Sequence, residues 1–178
     1  HTSKYGSFEA ILAVDAHTKL KVGVQGAFDA LKTYKNQVND WVFGYLGYDL
    51  KNELEVLHSK NSDGLGFEEL FFFQPKRIIT LVENEVIFNY LNAASSKIEQ
   101  DFQEIAAYEC EPWSTSEFQT RPKIKLAIHK DEYLNKVDQV LKYIRRGLIY
   151  EVNICQEFYV KDNGIQPLRT YKNLNTIS

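Results

Sequence analysis

The side chains that could do chemistry in this chain are few and dispersed. Four histidines, His1, His17, His58 and His129, lie in different elements without ligand spacing, and each reads as a surface residue. Glu53, Glu55, Asp63, Glu68 and Glu69 cluster in sequence around a loop. Carboxylates gathered there could bind a cation, but a solvated charged face is the favoured reading. Gly64-Leu65-Gly66 neither follows a strand nor opens a helix, so it is no phosphate cradle, and no serine sits in a Gly-x-Ser-x-Gly elbow. Cys110 and Cys155 are far apart with no CxxC pairing, which suits free thiols in a reducing compartment. What remains is the run Gly147-Leu148-Ile149-Tyr150-Glu151-Val152-Asn153-Ile154-Cys155-Gln156-Glu157-Phe158. Its Asn153 could hold a polar group of a ligand or satisfy neighbouring backbone; the second reading is preferred, because buried polar side chains usually serve the backbone. No self-contained active site emerges.

The elements that must position these groups alternate between two periods. Phe8 to Val14 and Leu20 to Val24 read as a strand pair across Asp15-Ala16-His17-Thr18, and Gly26 to Lys35 as a short helix. Trp41 to Tyr48 is apolar on both faces, as a strand in the middle of a sheet would be. Leu70 to Phe73 ends at Gln74-Pro75, and Arg77 to Val82 and Val86 to Leu91 flank a tight hairpin at Glu83-Asn84-Glu85. Ser96-Lys97-Ile98-Glu99 matches a capping box ahead of Ile98, Phe102 and Ile105 at helical spacing. Tyr108 to Pro122 is the best linker candidate.

Beyond it the pattern predicts a strand over Lys123 to Ile128 and a helix capped by Asp131. Tyr133, Val137, Val140, Leu141 and Ile144 would line one face of that helix, and Arg145, Arg146 and Gly147 would end it. A strand from Ile149 to Val160 follows. Tyr150, Val152, Ile154, Gln156, Phe158 and Val160 would then form its core side, and Glu151, Asn153, Cys155 and Glu157 would lie on the wet or site-facing side. Pro167 opens a final helix with Leu168, Tyr171 and Leu174 on one face.

Bulk properties narrow the function classes. A net charge of -3 argues against nucleic acid as the main partner, since phosphate binding needs a concentrated basic surface. No apolar run approaches the roughly 20 residues needed to span a bilayer, and the first residues lack an apolar signal core. A cytoplasmic protein is expected. The absence of methionine and the unpartnered final helix are read as signs of a chain cut from a longer one.

Two segments carry a family resemblance. The Gly-x-Ile-Tyr-x-Val-Asn-x-x-Gln-x-Phe run at 147–158 resembles a signature of the chorismate-utilising enzymes, such as component I of anthranilate synthase and of aminodeoxychorismate (para-aminobenzoate) synthase. Upstream, Gly44-Tyr45-Leu46-Gly47-Tyr48-Asp49-Leu50-Lys51-Asn52-Glu53 resembles the family strand that usually reads Gly-x-x-x-Tyr-Asp, and Leu70 to Pro75 falls where the family has an aromatic strand before a proline. The likeness runs from about Phe8 to the end. Within the family these forms look most like aminodeoxychorismate synthase component I, with anthranilate synthase component I the alternative.

The resemblance implies an α+β fold of antiparallel sheets with helices packed on their outer faces, incomplete here. It divides the chain into an N-terminal domain, 1–122, and the truncated start of a chorismate-binding lobe, 123–178. The whole enzyme would take ammonia from a glutamine amidotransferase subunit and add it to chorismate with Mg2+ present. The family's magnesium-holding glutamates and its Pro-Ile-Lys-Gly-Thr lysine have no counterpart here; Arg121-Pro122-Lys123-Ile124-Lys125 is not that motif. No catalytic or metal-binding residue is therefore assigned, and the chain alone is expected to be inactive. Tyr150 and Asn153 match motif residues near the family's regulatory tryptophan pocket, though fold-supporting roles explain them equally well. A non-catalytic module that senses tryptophan or docks a partner is the remaining alternative. The second lobe alone should expose apolar sheet surface.

Overall fold

The computed structural model describes residues 8–58, 61, 63–109, 123–161 and 166–176. They fall into two compact units, divided between Glu109 and Cys110. The expected linker lies almost wholly outside the described residues.

The first unit is built on one long central strand. β3 (Leu70–Val82) pairs antiparallel along its whole length with β1 (Ala10–Val22), from Ala10 opposite Leu81 to Val22 opposite Leu70. Its other side is shared by two short strands, β2 (Phe43–Leu46) against residues 70–73 and β4 (Glu85–Tyr90) against residues 77–82. This sheet corrects three sequence expectations. Asp15 to Thr18 is not a turn: β1 runs straight through it, and the register slips between Ala16 and Thr18 in a β-bulge, with Asp15 at φ 57°. Gln74-Pro75 does not end the strand. Pro75 sits between the end of the β2 ladder at Phe73 and the start of the β4 ladder at Arg77, where its missing N–H breaks neither. Finally, β2 is an edge strand with Gly44, Tyr45 and Leu46 exposed, because its partner sits on one side only.

The hairpin forms as expected, with Glu83 and Asn84 both at positive φ (48° and 67°), the backbone of a two-residue turn that matches strand twist. Helix α1 (Ala27–Val38) packs its Ala27 and Leu31 with Leu20, Val22, Leu50, Leu70 and Phe72, the buried centre of the unit. Tyr34, on the same helix, accepts a hydrogen bond from the Gln74 backbone N–H (3.0 Å) and bonds the Thr18 hydroxyl (2.8 Å). The helix is thereby pinned to the sheet at the bulge. The alternate residues of β3, Phe71 and Phe73, stack with Tyr45 and Phe43 in a run of ring contacts that reaches Phe67 at one end and Trp41 and Phe8 at the other.

A short helix α2 (Lys51–Leu54) follows β2. After β4, a 3-10 turn over Asn92–Lys97 leads into α3 (Ile98–Ala107). The expected capping box is not made: the cap position falls on Lys97, without a side-chain bond, because the 3-10 turn already feeds the helix.

The second unit contains α4 (Lys130–Arg145), α5 (Pro167–Asn175) and the pair β5 (Lys125–Leu126) with β6 (Phe158–Tyr159). His129, not Asp131, precedes α4; Asp131 and Glu132 lie in its first turn and Lys142 and Arg145 in its last, each favourably placed on the helix dipole. Gly147 ends it at φ 70°: the N–H of Gly147 bonds Ile144 O (2.9 Å) and that of Leu148 bonds Tyr143 O (3.1 Å), a Schellman stop. Tyr133, Val137, Val140 and Ile144 are half-buried as expected, whereas Leu141 is exposed.

Candidate functional site

In the Gly44–Glu53 segment, packing accounts for most of the residue types. A Cβ on Gly44 would lie 2.0 Å from the Phe71 carbonyl oxygen, and one on Gly47 would lie 2.8 Å from that of Glu69. Both positions therefore require glycine for close approach of β2 to β3 and the residue before it. Gly47 N–H donates to Glu69 O (2.6 Å), and the chain then turns through Tyr48–Leu50 to bury Leu50 beside Ala27 and Leu70. From α2, Glu53 Oε2 accepts the Ala27 backbone N–H (2.9 Å), placing a carboxylate on the first turn of α1 where unpaired amides and the helix dipole favour it. Asp49 pairs with Lys51, whose Nζ lies 4.3 Å from the centre of the exposed Tyr48 ring.

The carboxylates considered as cation ligands do not converge. Glu53 serves α1, and Glu68 faces Lys21 at 3.7 Å. Asp63 accepts N–H bonds from Leu65 (2.9 Å) and Gly66 (3.1 Å), and these hold its carboxyl below the usual range. Among the described residues no group of three or more His, Cys, Asp or Glu is placed to hold a metal ion. These residues therefore do not fit a Mg2+ site, and no chemistry through the metal is derived from them. His17, His58 and His129 are exposed in separate places, and His1 and Cys110 lie outside the described residues. Cys155 is an exposed free thiol.

The Gly147–Phe158 segment behaves differently. The expected strand from Ile149 to Val160 reduces to Phe158–Tyr159, since β5 supplies only Lys125 and Leu126 as partners. Tyr150 is 94% exposed and Val152 and Phe158 are also exposed, so the expected core side is only half-buried, at Ile154, Gln156 and Val160. Asn153 is exposed as well. Gln156, the polar exception on that side, is the residue that is tied down: its Nε2 donates to Ile128 O (2.8 Å).

Sequence reasoning missed one cluster entirely. Arg77 on β3 meets Asp101 of α3 (2.8 Å) and Asp15 of β1, and Tyr90 of β4 donates its hydroxyl to the same Asp101 oxygen (2.7 Å). The Tyr90 and Arg77 bonds hold the Asp101 carboxyl below its ordinary value, while burial and the Asp101 bond push the Tyr90 phenol up to about 12. Beside the cluster is a cleft of about 280 Å3, walled by Leu12, Val14, Ile79, Ile105 and Tyr108. Arg77 and Tyr90 are cross-strand partners in the expected hairpin, but Asp15 and Asp101 come from distant elements, so only register and helix phase could have revealed the cluster.

The family described as chorismate binding enzyme matches residues 7–178, nearly the whole chain. This chain belongs to the chorismate-binding enzyme family. An anthranilate synthase component I-like protein of Synechocystis sp. is 27% identical over 137 residues, covering 76% of the chorismate-binding family chain described here and 28% of that relative. The solved structure of anthranilate synthase component I from Streptococcus pneumoniae superposes with a TM-score of 0.75 at 17% identity, over 98% of this chain and 46% of that one. The fold is accordingly that of anthranilate synthase component I, α+β with antiparallel sheet, as expected from the sequence. This family member spans less than half the length of either relative. Among the described residues no helix is long and apolar enough to cross a membrane.

Proposed function

We propose that this chain is the N-terminal portion of an aminodeoxychorismate synthase component I. The whole enzyme would aminate chorismate in the cytoplasm, with ammonia from a glutamine amidotransferase subunit. The observation that carries the reading is the Gly44–Glu53 segment, whose form is closest to that branch, set within a family match that spans residues 7–178. Mg2+ and the catalytic residues would come from the family's C-terminal half, so residues 1–178 alone would turn over no chorismate. Residues 1–122 and 123–178 would belong to separate lobes, and Tyr150 and Asn153 would border a tryptophan pocket.

A second reading, anthranilate synthase component I, draws on the names of the two relatives. Product analysis separates the two. The full-length enzyme, given chorismate, ammonia and Mg2+, should form 4-amino-4-deoxychorismate; accumulation of anthranilate instead would assign the chain to the tryptophan branch. The 178-residue chain in the same assay should form neither.

A further inference from the structure

Helix α3 is docked in an unusual way. None of its residues is fully buried, and only Ile98 and Asp101 are even half-buried. Of its three large apolar side chains only Ile98 is half-buried; Phe102 and Ile105 are 47% and 51% exposed, and the helix's one ring contact is an edge approach of Phe102 to Phe88 at 6.2 Å. The Asp101 side chain, by contrast, is only 13% exposed. A carboxylate is thus one of only two seated positions, beside Ile98, where a docked helix normally buries a continuous apolar stripe. At 10 residues, α3 is also shorter than the roughly 12–15 at which isolated helices become even marginal in water.

We propose that α3 is a detachable strap, held to the sheet by the Arg77–Asp101–Tyr90 latch rather than by apolar burial, and that it lifts as a unit to uncover the cleft beside it. The latch draws on every part of the sheet near the helix: Arg77 from β3, Tyr90 from β4 and Asp15 from β1. Asp15 reaches Arg77 from the left-handed backbone conformation, uncommon for a residue other than glycine, at the bulge of β1. Such an outlier marks a position where the surrounding structure holds the residue in place. Arg77 Nε is buried without a hydrogen-bond partner, and lifting the helix would let water reach it. Opening would further expose Leu12, already 54% exposed, and the half-buried Val14 and Ile79, an apolar surface whose availability is set by the latch.

Hydrogen exchange read by mass spectrometry on the full chain tests this directly. In the unaltered protein the amides of 98–107 should exchange faster than those of 70–82, through a local opening. Asp101→Asn should accelerate 98–107 by about tenfold or more, as expected for loss of a charged hydrogen-bond partner, and leave 70–82 unchanged. Phe102→Ala should have the smaller effect on the same segment. The proposal is overturned if α3 is as protected as β3, if Asp101→Asn alters neither segment or both equally, or if Phe102→Ala has the larger effect.

Discussion

The two segments that carry the family likeness are held in opposite ways. Gly44–Glu53 is set into packing: two glycines allow strand contact, Leu50 fills the core and Glu53 closes the start of α1. Gly147–Phe158 begins with a Schellman stop and ends in a two-residue ladder, and between them its side chains are mostly exposed. The difference teaches that one motif specifies the fold of its unit, while contacts among the described residues do not explain the other. Residue types that internal packing does not require are the ones to examine for ligands or partners.

That contrast can be broken by substitution. Gly44→Ala should be the most damaging change, costing about 3 kcal/mol, because backbone atoms of Phe71 and Phe72 leave no room for a methyl group; the urea midpoint of the first unit should fall with an unchanged slope. Glu53→Ala, which strips the start of α1 of its acceptor, should cost about 1 kcal/mol in the same measurement. Gln156→Ala should cost about 1 kcal/mol by leaving Ile128 O unpaired, with the loss confined to the second unit in exchange or proteolysis data. Tyr150→Ala should lie within about 0.5 kcal/mol of the parent, as exposed positions do. If Tyr150 borders a regulatory pocket, the same change in the full-length enzyme should weaken tryptophan binding without altering stability. A large stability loss at Tyr150, or none at Gly44, would erase the distinction.

The sequence made local features legible and long-range ones obscure. The Glu83-Asn84 turn, α1, and the Gly147 stop of α4 were readable because each is decided by residues within a few positions. The continuity of β1 through Asp15–Thr18 was not, because turn-like residues also suit a bulge and the partner strand decides between them. The pattern from Ile149 to Val160 shows the converse: alternation states which faces a strand would have, but a strand exists only where a neighbour supplies hydrogen bonds. For the candidate site, the family was legible from its motifs. The Arg77 cluster was not, since its members come from four elements.

The long β1–β3 ladder also constrains the order of events at birth. Val22 pairs opposite Leu70 and Ala10 opposite Leu81, so the N-terminal strand finds no ladder until the ribosome has released Leu70, and no complete one until Leu81 has followed. The β3–β4 hairpin closes a short loop and can form first, whereas docking β1 requires closing a loop that contains α1, β2 and α2. During that interval Ile11, Leu12 and Val14 are an unpaired β-prone stretch, a natural binding site for chaperones and the point at which nascent chains of this unit would first associate.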